Sequence, residues 1–312
     1  MTDMRKRRLS RPGLLTLAIL AALGLRLAGA NPAVSQTSVL SAYKVGGDDW
    51  LDPTSGGWKR IPSIEVPLSA QAGIYPSGGG SLATVEVRAA QRDGELYVWV
   101  GWDDPTKDVR SDAVERFADA IAIEFPAKAS SSVPSVCMGQ ADSGVNIWQW
   151  RADGQNDLAP GYVLHDERSR PTVDFYSEED RFYPAREVGN PYAKGGDNPV
   201  QNLVAHSFGS IGPADQQPVS GRGAWDGGWS VVFSRPFGSP AKGQPAFQDG
   251  QVIDVAFAVW NGSEGDRNGK KSVSSFVRLS IGDEQLPQGM SPLGWAILAL
   301  GVAAALRLSR HA

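Results

Sequence analysis

The stretch Thr84-Val-Glu-Val-Arg-Ala-Ala-Gln-Arg-Asp-Gly-Glu-Leu-Tyr-Val-Trp-Val-Gly-Trp102 decides the fold class. Residues 84–89 alternate apolar and polar side chains, the period of a half-buried strand. Asp93-Gly94 is a hairpin turn signal, and Leu96–Trp102 returns as a second strand. Asp103, Asp104 and Pro105 stop it. The same grammar recurs on both sides. Ala120–Phe125 ends at Pro126, and Val145–Trp150, Trp229–Arg235, Val252–Trp260 and Ser275–Ile281 follow. Asp112–Asp119 reads as a short helix. Several short strands with Gly and Pro turns predict an all-β domain over residues 31–285, an antiparallel sandwich with long loops. The interval from Arg151 to Gly228 breaks the spacing and is rich in Asp, Pro, Gly and Ser, as a functional or docking loop is.

The ends carry a different message. Arg5, Lys6, Arg7, Arg8 and Arg11 precede an apolar run from Leu14 to Leu25, and Ala28-Gly-Ala30 offers a cleavage site. Residues 1–30 are therefore expected to be a secretory signal. Leu293–Leu306 carries no charge, with Trp295 at one edge and Arg307, Arg310 and His311 beyond the other. A membrane span takes roughly 17–25 residues. Residues 290–308 are expected to be a short C-terminal transmembrane helix that holds the domain on the outer, periplasmic face, with 309–312 as a cytoplasmic tail.

Without the signal, 24 basic residues face 33 acidic ones, and such an acidic exported domain does not suit nucleic acid. The single cysteine, Cys137, allows no internal disulfide, and no C-x-x-C-H is present for covalent haem attachment. The three histidines, His165, His206 and His311, are too few for a His-rich zinc site. No phosphate loop and no G-x-S-x-G occurs. Asp103 and Asp104 follow a strand end, where they cap a turn more readily than they do acid–base work. Ten tryptophans fit core packing, a flat sugar platform, or a dry pocket for a planar cofactor. Composition does not choose among the three.

Several segments, in order, resemble one family. They are Arg92–Thr106, Ile121–Phe125, Cys137-Met-Gly139, Asn146-Ile-Trp-Gln-Trp150, Gly223–Pro236, Phe257–Gly262 and Arg267-Asn-Gly-Lys-Lys-Ser272. Together they resemble the haem b-binding gamma subunits of exported molybdenum enzymes, such as ethylbenzene and dimethylsulfide dehydrogenases and chlorate and selenate reductases. The resemblance implies a sandwich like that of carbohydrate-binding modules and of cytochrome domains that hold haem between their sheets. It implies one non-covalent haem b with Met138 and Lys271 as axial ligands of the iron, Lys270 being the neighbouring alternative. It implies no catalytic residue on this chain, and as partners an iron–sulfur subunit and a molybdopterin catalytic subunit. The expected function is a membrane-anchored electron relay between those subunits and a periplasmic cytochrome or quinone system. The alternative is a membrane-anchored carbohydrate-binding sandwich without haem.

The chemistry is consistent with the resemblance. Methionine is a soft ligand that raises a haem potential. Lysine binds iron only as the neutral amine, and its ordinary pKa is about 10.4, so its pocket must be dry. Phe257, Trp260 and Phe276 are candidates for that pocket, and Arg267, Arg235 and Arg181 for the carboxylate tails of the haem.

Overall fold

The computed structural model describes residues 39–72, 76–111, 113–128, 133–136, 138–158, 198–238, 241–282 and 284–286. All belong to the unit Ser38–Ala312, whereas Met1–Thr37 forms a separate unit outside the described residues. The strands are β1 (Val39–Lys44), β2 (Ile64–Pro67), β3 (Ser69–Ala70), β4 (Thr84–Arg92), β5 (Glu95–Asp103), β6 (Ala120–Pro126) and β7 (Val145–Arg151). A short helix, α1 (Ala152–Asp157), precedes β8 (Val200–Ala205), β9 (Gly212–Pro213), β10 (Ser220–Trp225), β11 (Gly228–Pro236), β12 (Gln251–Trp260), β13 (Ser272–Val273) and β14 (Val277–Ile281).

The order β10-β11-β5-β4-β1-β14-β12-β6-β7-β8-β9 forms a folded-over, open sandwich. One half holds β10, β11, β5 and β4; the other holds β12, β6, β7 and β8. Alternate residues of each half point inward, so Val98, Val100, Ile123, Trp148, Phe233 and Phe257 meet in one buried core. Trp150 and Trp229 close it edge to face, their ring centres 4.9 Å apart.

This corrects the expected antiparallel sandwich with a transmembrane helix. β1 runs parallel to both of its neighbours, β4 and β14, and so joins the two halves. Among the described residues, no helix is long and apolar enough to cross a membrane, and residues 290–308 lie outside them. The expected helix over 112–119 is a loop in its described part. Its last residue, Asp119, is fully buried and uses its carboxylate to accept N–H groups from Asp108, Trp229 and Gly262, at 2.8, 2.9 and 2.9 Å. Those partners lie on three separate segments, so tertiary hydrogen bonds replace helical ones there.

Three strands of the irregular interval, β8, β9 and β10, escaped the periodicity. β10 reads Ser-Gly-Arg-Gly-Ala-Trp, in which glycine hides the alternation. A Cβ at Gly223 would overlap the Trp150 ring, and one at Gly221 would overlap Val200. The glycines are there so that β10 can close on the opposite half.

Candidate functional site

The candidate site is on the outer face of the β12-β6-β7 half, not between the sheets. Two segments shape its floor, Ala120-Ile-Ala-Ile-Glu124 and Ala256-Phe-Ala-Val-Trp260. Their Ile, Phe and Val side chains enter the core, which turns every alternate residue outward. Register then stacks Arg151, Ala120 and Trp260 on one rung, Gln149, Ala122 and Ala258 on the next, and Ile147, Glu124 and Ala256 on the third. The four alanines leave a hollow above the sheet, a cavity of about 460 Å³ with both Met138 and Lys271 in its wall.

Lys271 is placed by a tight turn. The backbones of Arg267 and Lys270 exchange both hydrogen bonds, at 3.0 and 2.9 Å, around Asn268, which takes a positive φ of 49°. The chain then alternates. Lys270 sends its amine outward to the Glu264 carbonyl, with Asp266 3.8 Å away. Lys271 turns into the hollow and is only 5% exposed, its Nζ 4.8 Å from the Trp260 ring centre. Its backbone is fixed on both sides, N–H to Gly78 at 3.2 Å and carbonyl to Gln71 at 3.0 Å. Gly79, at φ 88°, passes so close that a Cβ would overlap the Lys271 carbonyl.

Met138 enters from the loop between β6 and β7. It too has a positive φ, 71°, which is unusual for a residue other than Gly, Asn or Asp. Gly139 follows at the same φ and donates to the Ser135 carbonyl at 2.9 Å. The Met138 N–H donates to the carboxylate of Glu124, which is 8% exposed. Burial pushes the Glu124 carboxyl up to about 7, against the pull of Lys271 and of that N–H. Its Oε1 is buried without a hydrogen-bond partner.

The remaining expected residues divide clearly. Trp260 lines the hollow and donates its indole N–H to the Asn268 carbonyl at 3.1 Å. Arg267 lies at the rim with its guanidinium carbon 4.9 Å from the Phe117 ring centre. Phe257 also reaches the hollow, though its ring belongs to the core. Arg235 is elsewhere: it is buried, stacks on Phe247 at 4.8 Å, and burial lowers its pKa to about 10. Asp104 caps a turn through Thr106, while Asp103 is exposed. His206 is exposed in the loop after β8. Cys137, His165, Arg181, Met290 and His311 lie outside the described residues.

Sequence reasoning missed the alanine floor, Glu124 and Arg151. The floor had a signal, the outward alanines of Ala-Ile-Ala-Ile and Ala-Phe-Ala-Val. Arg151 lines the hollow and pairs with Asp153 beside Ser111. The residues present fit haem b. A soft thioether and a buried amine share one apolar-floored cavity, and the orphan Glu124 oxygen is an acceptor awaiting a donor.

The family described as Ethylbenzene dehydrogenase matches residues 55–272. Among curated proteins, the chain is 29% identical to one from Haloferax mediterranei named as a candidate respiratory nitrate reductase haem subunit, ORF7, over 92% of this chain and 87% of that one. It is 26% identical to the chlorate reductase subunit gamma of Ideonella dechloratans, over 85% and 93%. It is 31% identical to the dimethylsulfide dehydrogenase subunit gamma of Rhodovulum sulfidophilum, over 72% of each. Among solved structures, a family 9 carbohydrate-binding module from Caldicellulosiruptor kristjanssonii in complex with glucose aligns with a TM-score of 0.40 and 8% identity, over 81% of this chain and 99% of that one.

The expected function and location need correction. Among the described residues, nothing supports the expected membrane-anchored haem relay to a cytochrome or quinone system. The described residues contain no membrane-crossing helix, and none of them form a group of three or more His, Cys, Asp or Glu able to hold a metal ion. A periplasmic placement through a C-terminal helix falls with it. What stands is kinship at the level of the family: the chain belongs to the ethylbenzene dehydrogenase family and is related to the haem-binding gamma subunits of molybdoenzyme complexes.

Proposed function

We propose that the hollow over the alanine floor binds one haem b non-covalently, with Met138 and Lys271 as the residues that would hold its iron, in a non-catalytic electron-transfer subunit of an oxidoreductase complex. The observation that carries this reading is the meeting of Met138 and Lys271 in one cavity from loops more than a hundred residues apart. Bound there, haem would supply one-electron redox chemistry. The chain would do the rest. Iron takes lysine as the neutral amine, and Lys271 would offer its nitrogen from a buried position in the wall of the hollow. The four alanines leave room for a planar group, and Trp260 walls off water. Arg267 lines the rim and would meet a carboxylate tail. Two relatives are named as gamma subunits, which supports a place in a multi-subunit complex; its partners would be those the sequence resemblance implies, an iron–sulfur subunit and a molybdopterin catalytic subunit.

Haem-free protein titrated with hemin tests the reading. A saturable one-to-one shift of the Soret band to a low-spin spectrum is expected. Wild-type protein that leaves the hemin spectrum unchanged overturns it.

A second reading has its own observation. A groove on the opposite half is lined by Trp99, Trp102 and Trp225 together with Glu86, Asp103 and Asp226. Aromatic faces flanked by carboxylates suit a saccharide, so this groove supports the carbohydrate-binding alternative without haem. Glucose or cello-oligosaccharide titrated by calorimetry distinguishes the two: sugar binding abolished by Trp225→Ala, with no hemin uptake, favours this second reading.

A further inference from the structure

Glu124 is an anomaly that the alanine floor does not explain. A carboxylate among Ala122, Ala256 and Ile147 is costly to bury unless its oxygens are used. One interaction is visible, the N–H of Met138. The opposite charge of Lys271 acts on the same carboxylate, while Oε1 has no hydrogen-bond partner. Glu124 therefore touches one candidate ligand through its backbone and faces the other through space. A backbone at φ 71° also needs something to hold it there, since methionine does not favour that conformation.

We propose that Glu124 is the positioning residue for both candidate ligands: its carboxylate holds the Met138 backbone in its left-handed conformation and presents Oε1 as the acceptor for an N–H of Lys271. An iron-bound neutral lysine keeps two N–H groups, and a buried one needs an acceptor. Outer partners of this kind orient ligands and tune their basicity. The inference rests on the haem reading above, and it extends that reading to a residue that touches neither iron nor substrate.

The test compares Glu124→Ala and Glu124→Gln in the full chain. Glutamine keeps an acceptor oxygen, and alanine removes it. The first measurement needs no haem: hydrogen exchange at the Met138 amide. Exchange is expected to quicken by on the order of tenfold or more in Glu124→Ala and to stay slow in Glu124→Gln. The second is hemin titration. Glu124→Ala is expected to bind hemin on the order of ten- to a hundredfold more weakly with a high-spin component, and Glu124→Gln to restore affinity and the low-spin spectrum. An unchanged Met138 exchange rate and hemin spectrum in Glu124→Ala overturn the proposal. So does a Gln variant that falls as far as Ala, because charge rather than acceptance would then be at work. If Ala fails to fold, Gln alone decides by the same criteria. If wild type takes up no hemin, the haem reading fails, while the exchange measurement still decides whether Glu124 holds Met138.

Discussion

Lys271 and Glu124 are both almost fully buried on one face of the sheet, and each acts on the other's charge although they lie on different strands' ends of the chain, 124 in β6 and 271 beside β13. A buried pair of this kind is costly to break from one side. Lys271→Leu should therefore destabilise the haem-free fold by about 3 kcal/mol at pH 8, and by much less at pH 5.5, where Glu124 is protonated. It should also abolish low-spin hemin binding. Lys270→Leu removes only an outward contact to the Glu264 carbonyl and a long ion pair with Asp266, so it should cost no more than about 1 kcal/mol and leave the hemin spectrum unchanged. Urea melts at the two pH values and hemin titration check both. Equal spectra for the two variants would refute the assignment to Lys271.

Gly79 is expected to be intolerant. Its φ of 88° disfavours any side chain, and a Cβ would overlap the backbone of Lys271. Gly79→Ala should lower stability by about 1–3 kcal/mol and should weaken hemin binding as well, because the segment carrying Lys271 must shift. Gly94→Ala has open space around its Cβ and serves as the control for strain alone, at φ 76°. If Gly79→Ala costs stability but binds hemin as wild type does, the coupling between Gly79 and the site is disproved.

Asp119 ties together the loop at Asp108, the indole of Trp229 and the start of the Gly262 loop. Asp119→Ala would orphan three donors. It should cost about 3 kcal/mol or more, and Asp119→Asn less, since one amide oxygen still accepts. Chemical denaturation with tryptophan fluorescence gives both numbers. A loss below 1 kcal/mol in the alanine variant would show that the three donors find other partners.

The pH dependence has a definite sign. Burial raises Glu124 to about 7 and Asp119 to about 6, above the ordinary carboxyl values of 4.5 and 3.8. Between those limits the folded protein holds protons that the unfolded chain has released. These two groups therefore contribute their full stability below about pH 4, and lose it as pH rises through 6 and 7. Glu124→Gln cannot titrate, so the stability of wild type relative to this variant should fall from pH 4.5 to pH 8. Thermal melts of both proteins across that range measure it, and a difference that rises with pH would contradict the burial of Glu124.

Much of the architecture was legible in local pattern. Strands over 84–92, 95–103, 120–126, 145–151, 228–236 and 251–260 stand where alternation and turn residues put them, because a strand's period is a property of the backbone. The ordered family segments named Met138 and Lys271 as expected ligands, and both residues line one cavity. Local pattern could not show the parallel β1, whose partners are set by the closure of two distant halves. Nor could it find β10, whose glycines answer to Trp150 and Val200 on the other half. The choice of face was also tertiary. Strand alternation states that Ala120, Ala122 and Glu124 share a side, but only the burial of Ile121, Ile123 and Phe125 in the core turns that side outward. Register across β12, β6 and β7 then makes a hollow of four alanines and brings Glu124, Met138 and Lys271 to it. Sequence determined which groups the chain carries, while packing decided which of them meet, because contacts between residues far apart depend on how whole sheets close.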